Sequence, residues 1–172
     1  GRLQLDLGAA GLSVAKVGEA EVMLKANPPE LLVAYPVIGR QKLERLMEVA
    51  RRTRVTVALD SLFAARQLSD AARAAHIEVG VLAEVDVGMG RMGVSPGEEL
   101  LDLAQGILRL PWVRFEGVAF FPGQINDMSE QAQAALEDIR QIVQGILRDF
   151  RRAGIPVAII GAIDLTMGEV DR

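Results

Sequence analysis

The chemistry-bearing residues are concentrated in one stretch, Glu84-Val85-Asp86-Val87-Gly88-Met89-Gly90-Arg91-Met92-Gly93-Val94. Glu84 and Asp86 stand two apart, so on an extended strand they share a face while Val85 and Val87 take the other. Carboxylates on a buried face are costly unless something satisfies them. Arg91 follows in the loop at the strand's C-terminal end, where barrels and open α/β sheets build their sites. The spacing therefore points to a polar functional site built on a carboxylate–arginine set; a structural ion pair that fixes the loop is the plainer reading. Gly88, Gly90 and Gly93 also spell G-x-G-x-x-G, the dinucleotide pattern. Against that, the next helix start falls later, near Ser95, and an arginine would crowd the close approach the glycines exist to permit.

Other residues carry weaker signals. His76 sits between a helix end and a strand, and reads as an exposed helix terminus. Lys16 and Tyr35 each end a strand and are cavity candidates. Gln124 and Asn126 follow a strand at the same end, where loops are polar in any case. Trp112 reads as packing at a strand start, and Arg51, Arg52 and Arg54 as a solvated helix end. The chain has no cysteine, which excludes disulfides, thiolate metal sites and a cysteine nucleophile. A single histidine excludes a multi-histidine zinc site. A net charge of −4 gives no support for a nucleic-acid partner. No apolar run approaches the roughly 20 residues that span a bilayer, and no signal peptide is visible. The expectation is a cytoplasmic chain acting on a small molecule.

The elements that must position these residues alternate between short apolar runs and longer amphipathic ones. Strands are expected at 12–15, 31–37, 55–59, 79–87, 113–121 and 157–160. The helices between them include one starting near Gly39, with Leu43, Leu46, Met47 and Ala50 on one face. Another is capped by Asp60 or Ser61. A third has Ser95 as N-cap, Pro96 as first helical residue and Glu98 closing a capping box. The last has a box of Asp127 and Glu130 and ends at Gly154 and Pro156. Such alternation predicts an α/β protein with a parallel sheet. A full (β/α)8 barrel needs roughly 250 residues, so 172 residues alone fit an open doubly wound sheet slightly better.

The run Glu84 to Val94 resembles the E-V-D-x-G-M-G-R-x-G-V segment of metal-activated pyridoxal enzymes. These are D-threonine aldolase, D-serine dehydratase and relatives with an alanine-racemase-like barrel. The segment 14–23 is similar to the family's second strand and helix, 32–39 to its third strand and loop, and 115–123 to its sixth strand. The resemblance runs to about Ile160. It implies a partial fold-type III (β/α)8 barrel of about six βα units, with 1–172 as one barrel-domain fragment. By the same resemblance, the fragment lacks the first strand, which carries the cofactor-anchoring lysine, and a C-terminal β domain.

The resemblance also implies the cofactor, pyridoxal phosphate, with a divalent metal (Mn or Mg) in the full-length enzyme only. Arg91 would hydrogen-bond the phenolic oxygen of the cofactor ring. Glu84 falls where related racemases place a lysine supporting this arginine, so its carboxylate would orient Arg91 directly, with Asp86 structural in the same network. Lys16 matches a different strand from the anchoring lysine. Phe121, where tyrosine is usual, can stack but not donate a hydrogen bond. Gly161, Thr166 and Gly168 are the positions that could cradle the phosphate, and Asp164 would repel it. The implied activity is cleavage of β-hydroxy-D-amino acids to glycine and an aldehyde, with the fragment itself inactive and the full-length form a homodimer or monomer. D-serine dehydration and racemisation are alternatives, as is a non-catalytic α/β domain that binds a phosphorylated ligand or nothing.

Overall fold

The computed structural model describes residues 1–125, 129–157 and 159–162. After a short helix α1 (Arg2–Asp6), strands and helices alternate. They are β1 (Leu12–Val14), α2 (Val17–Met23), β2 (Glu30–Val33), α3 (Arg40–Ala50), β3 (Arg54–Leu59), α4 (Leu62–Ala75), β4 (Val79–Glu84), α5 (Glu98–Leu108), β5 (Val113–Phe120), α6 (Glu130–Arg152) and β6 (Ile159–Ala162). Each strand pairs in parallel with the next, in the order β1-β2-β3-β4-β5-β6. A doubly wound sheet reverses its strand order partway and carries helices on both faces. Here the order never reverses.

The two faces of the sheet also differ. The outward residues Val55, Val57, Leu59, Val79, Val81 and Ala83 join helical residues such as Leu46, Leu68, Leu100 and Ile107 in one continuous core. The inward residues Ala58, Leu82 and Ala119, with Leu32 against them, form a second cluster containing strand side chains alone. Sequential parallel strands, with helices outside and strand side chains inside, make a segment of a (β/α)8-type barrel. The length-based preference for a doubly wound sheet is thereby corrected.

Local chemistry explains most element ends. Ser61 caps α4, its Oγ accepting from the Ala64 N–H at 3.3 Å. Gly154, at φ +68°, closes α6 with the Ile155 N–H donating back to the Phe150 carbonyl at 3.0 Å. Two expected caps are corrected. α5 begins at Glu98, because Gly97 at φ +96° is the N-cap, and it is Glu99, not Glu98, that accepts from the Ser95 N–H at 2.9 Å. α6 is capped by Ser129, whose Oγ accepts from the Ala132 N–H at 3.2 Å; Asp127 lies outside the described residues.

β5 carries an irregularity that sets which side chains face inward. Val81 pairs with Phe115 but Leu82 pairs with Gly117, so Glu116 is an extra residue on β5. Phe115 therefore points to the helices, while Gly117 and Ala119 continue on the inner face. Glu116 is buried on that inner face. It accepts hydrogen bonds from Arg54 at 2.8 Å, Thr56 at 2.8 Å and Arg114 at 2.5 Å. Burial pushes its carboxyl up, and these donors more than offset that, leaving it below the usual glutamate range. A Cβ at Gly80 would sit 2.6 Å from this carboxylate, so glycine is what admits it. Arg54 thus belongs to an ion cage at the N-terminal end of the sheet, with Glu30 also 3.5 Å away, and not to a solvated helix end.

Candidate active site at the C-terminal end of the sheet

β4 ends at Glu84, and the loop that follows folds back on the strand. The Val94 N–H donates to the Glu84 carbonyl at 2.9 Å, and the Asp86 N–H donates to the Val94 carbonyl at 3.0 Å. This return requires glycine at 93. Its φ is +100°, and a Cβ there would lie 2.4 Å from the Asp86 nitrogen. Inside the loop, Asp86 Oδ1 accepts from the N–H groups of Gly88 and Met89, both at 2.9 Å, and of Gly90 at 3.1 Å. Burial pushes the Asp86 carboxyl up, but these amides outweigh it and hold it below its ordinary value. The glycine-run amides are therefore spent on an internal carboxylate. They are not aimed at a pyrophosphate, which removes the dinucleotide reading. Asp86 serves the loop backbone; its partners are amides and not Arg91.

The loop delivers Arg91 to the inner face. Its guanidinium lies 4.9 Å from the centre of the Phe121 ring, within cation–π range. Phe121 follows β5, and Gln124 ties the two loops together by donating from Nε2 to the Val87 carbonyl at 2.9 Å. Phe121 and Met89 crowd Gly123, where a Cβ would meet them at 2.4 and 2.8 Å.

Glu84 lies beneath, only 4% exposed, and its Oε2 is buried without a hydrogen-bond partner. Burial first, and the Asp60 carboxylate second, push its carboxyl up to about 7, with Arg91 pulling the other way. No ion pair within 4.0 Å joins Glu84 and Arg91; they interact electrostatically at longer range. Arg91 is also held by the glycine loop and lies against the Phe121 ring.

Beside this pair opens a cleft of about 310 Å³, lined by Tyr35, Pro36, Ile38, Lys42, Asp60, Arg91 and Met92. Tyr35 is half exposed along it. Lys42 projects from the first turn of α3. The sequence pattern gave Lys42 no role, and it offered Asp60 only as a helix cap. What brings both here is their position just beyond the ends of β2 and β3, visible only once the strand order is known. Lys16, at the N-cap of α2, is exposed and pairs with Glu19 at 3.6 Å. His76 ends α4 at φ 54° and meets the Trp112 ring edge-on at 5.6 Å, remote from the cleft-lining set. Gly161 lies on β6, paired with Ala119. Asn126, Asp164, Thr166 and Gly168 lie outside the described residues. Among the described residues no group of three or more His, Cys, Asp or Glu side chains could hold a metal ion. No helix there is long and apolar enough to cross a membrane.

Comparison with known proteins agrees with this fold. The D-threonine aldolase of an Arthrobacter species is 36% identical over 132 residues, 77% of this chain and 35% of that protein. The 3-hydroxy-D-aspartate aldolase of Paracoccus denitrificans is 28% identical over 153 residues, 84% of this chain and 40% of that protein. The crystal structure of D-threonine aldolase from Filomicrobium marinum matches with a TM-score of 0.88 and 31% identity, covering 92% of this chain and 44% of that one. The chain thus spans less than half the length of these relatives. Residues 2–161 match the family described as alanine racemase, N-terminal domain, and the chain belongs to that family.

Proposed function

We propose that this chain is the cofactor-binding barrel of a pyridoxal-phosphate-dependent lyase that cleaves β-hydroxy-D-amino acids to glycine and an aldehyde. The observation that carries the reading is Arg91, set over Phe121 at the C-terminal strand ends beside the orphaned, buried Oε2 of Glu84. These residues fit the ring of such a cofactor. Among the described residues Arg91 has no carboxylate partner within ion-pair distance, and it offers fixed donors for a phenolic oxygen. Phe121 offers an apolar face. Burial pushes the Glu84 carboxyl up to about 7, which brings its protonated form, able to donate from Oε2, within reach near neutral pH. Gly161 and Thr166 are the proposed backbone contacts for the phosphate. When bound, the cofactor supplies an electron sink for the bond-breaking step.

The chain's own residues then hold the ring and keep water from the Glu84 side. Asp86 acts at one remove, by fixing the loop that carries Arg91. Of the three lysines, Lys16 is paired with Glu19, Lys25 lies in the turn after α2, and only Lys42 borders the cleft. The divalent metal that this class of lyase uses finds no ligand set among the described residues, so no step is assigned to it. The relatives' printed substrates, D-threonine and 3-hydroxy-D-aspartate, share the β-hydroxyl and differ in the charge of the β-substituent.

The test is titration with pyridoxal phosphate, followed by borohydride reduction and peptide mapping. Reversible binding should weaken at least about tenfold in R91L, and no lysine should be trapped stoichiometrically. Equal binding by wild type and R91L would remove Arg91 from the cofactor site and the reading with it.

A further inference from the structure

The cleft beside Arg91 has a charge pattern that the cofactor reading uses only in part, through Arg91. Its lining carries Lys42, Arg91 and Asp60, with the phenol of Tyr35, against an apolar wall of Pro36, Ile38 and Met92. Among the described residues neither Lys42 nor Arg91 has an ion-pair partner within 4.0 Å. By contrast Arg40 and Arg45, on the same helix as Lys42, are both paired, with Glu44 and Glu21. Asp60 is the single carboxylate among the described residues that line the cleft, and its Oδ2 lies 3.4 Å from the Gly93 nitrogen. Glu84 lies outside this lining set. Two cations and one carboxylate leave the lining with one net positive charge. Such a concave pocket with convergent polar groups selects by charge complement as well as by shape.

We infer that this cleft receives an acidic amino acid, with one carboxylate against those of the five Arg91 N–H donors that a ring oxygen leaves free, a second against Lys42, and the amino group on the Asp60 side. A dicarboxylic amino acid carries two negative charges and one positive, the inverse of the lining. A neutral β-substituent would leave the Lys42 ammonium without a counter-charge. Lys42 is then a specificity-determining residue. In the proposed lyase it would select substrates with an acidic β-substituent over threonine-like ones. That last step rests on the proposed function; the binding itself does not.

The experiment measures binding of D-aspartate, D-alanine and succinate to the full chain, without cofactor, by isothermal calorimetry at low salt. Variants are K42M and, as a control on an exposed lysine outside the cleft, K25M. D-Aspartate should bind more tightly than D-alanine or succinate. K42M should weaken D-aspartate about tenfold, the loss expected for one charge-assisted hydrogen bond. It should leave D-alanine unchanged, and K25M should change nothing. The inference is overturned if wild type does not bind D-aspartate, if D-aspartate and D-alanine bind alike, or if K42M matches wild type. Folding of each variant is checked by its thermal transition. The R91L titration with pyridoxal phosphate is read separately, so a failed Lys42 site leaves the cofactor reading standing, and the reverse.

Discussion

Glu84 is a residue whose charge the fold tolerates poorly. Its carboxyl moves from 4.5 to about 7, chiefly through burial. The folded state thus holds the proton more tightly than the unfolded chain does. The associated stability is fully present below pH 4.5 and is lost as pH rises through 7, amounting to up to about 3 kcal/mol. E84Q should lack this dependence. Its melting temperature should exceed that of wild type by several degrees at pH 8 and by little or nothing at pH 5, at about 2–4 °C per kcal/mol. Parallel melting curves across that range would contradict the assignment. Gly93 supplies a second test. G93A forces a Cβ into the Asp86 backbone at a φ of +100°, which should cost about 3 kcal/mol. Urea denaturation gives that loss, and hydrogen exchange should show residues 85–94 opening first. Such residue-scale features were partly legible. Glu84, Asp86 and Arg91 stood out by type and spacing. Their actual partners did not, because a period-two strand pattern says which face a side chain takes and not which amide reaches it.

Among the elements, β5 shows most clearly where sequence reading stops. The apolar residues Phe115, Val118 and Phe120 face the helices, at spacings of three and then two, which marks a bulge between them. A continuous strand at 113–121 reads the same from composition alone. The bulge makes room for Glu116, and the buried carboxylate in turn organises Arg54 and Arg114 from the lower strand ends. E116Q should lower stability by about 1–3 kcal/mol, because two half-exposed arginines lose their shared counter-charge. Chemical denaturation at pH 7 measures it. In wild type the same contribution should fade as pH falls through the Glu116 carboxyl, which titrates below its usual value. Helix caps were read well where one serine stands alone at a boundary, as at Ser61. They were misread at 95–98, where Gly97 adopts a left-handed backbone that a pattern of serine, proline and glutamate does not reveal.

For the molecule as a whole, strand order decided what length could not. Six sequential parallel strands make an arc of a barrel, and among the described residues β1 and β6 each have a strand neighbour on one side only. Unpaired edges of this kind recruit further strands. The 172-residue chain should therefore self-associate at tens of micromolar. Size-exclusion chromatography with light scattering would show this, and a monomer with one sharp calorimetric transition would argue that the arc closes on itself.

The inner cluster of Leu32, Ala58, Leu82 and Ala119 has a consequence of a different kind. It lies between the ion cage around Glu116 and the site around Glu84. From Gly80, beside the cage, to Glu84 is four residues of strand, about 13 Å. Both carboxylates are buried, so salt screens them little, and at that separation they can still couple by about 1 kcal/mol. The apolar layer is a spacer: it parts the two sites in distance but does not shield one from the other. A substitution that keeps the charge of the upper site can reshape it and leave the cage that holds the strands in register undisturbed, whereas one that changes its charge is felt below.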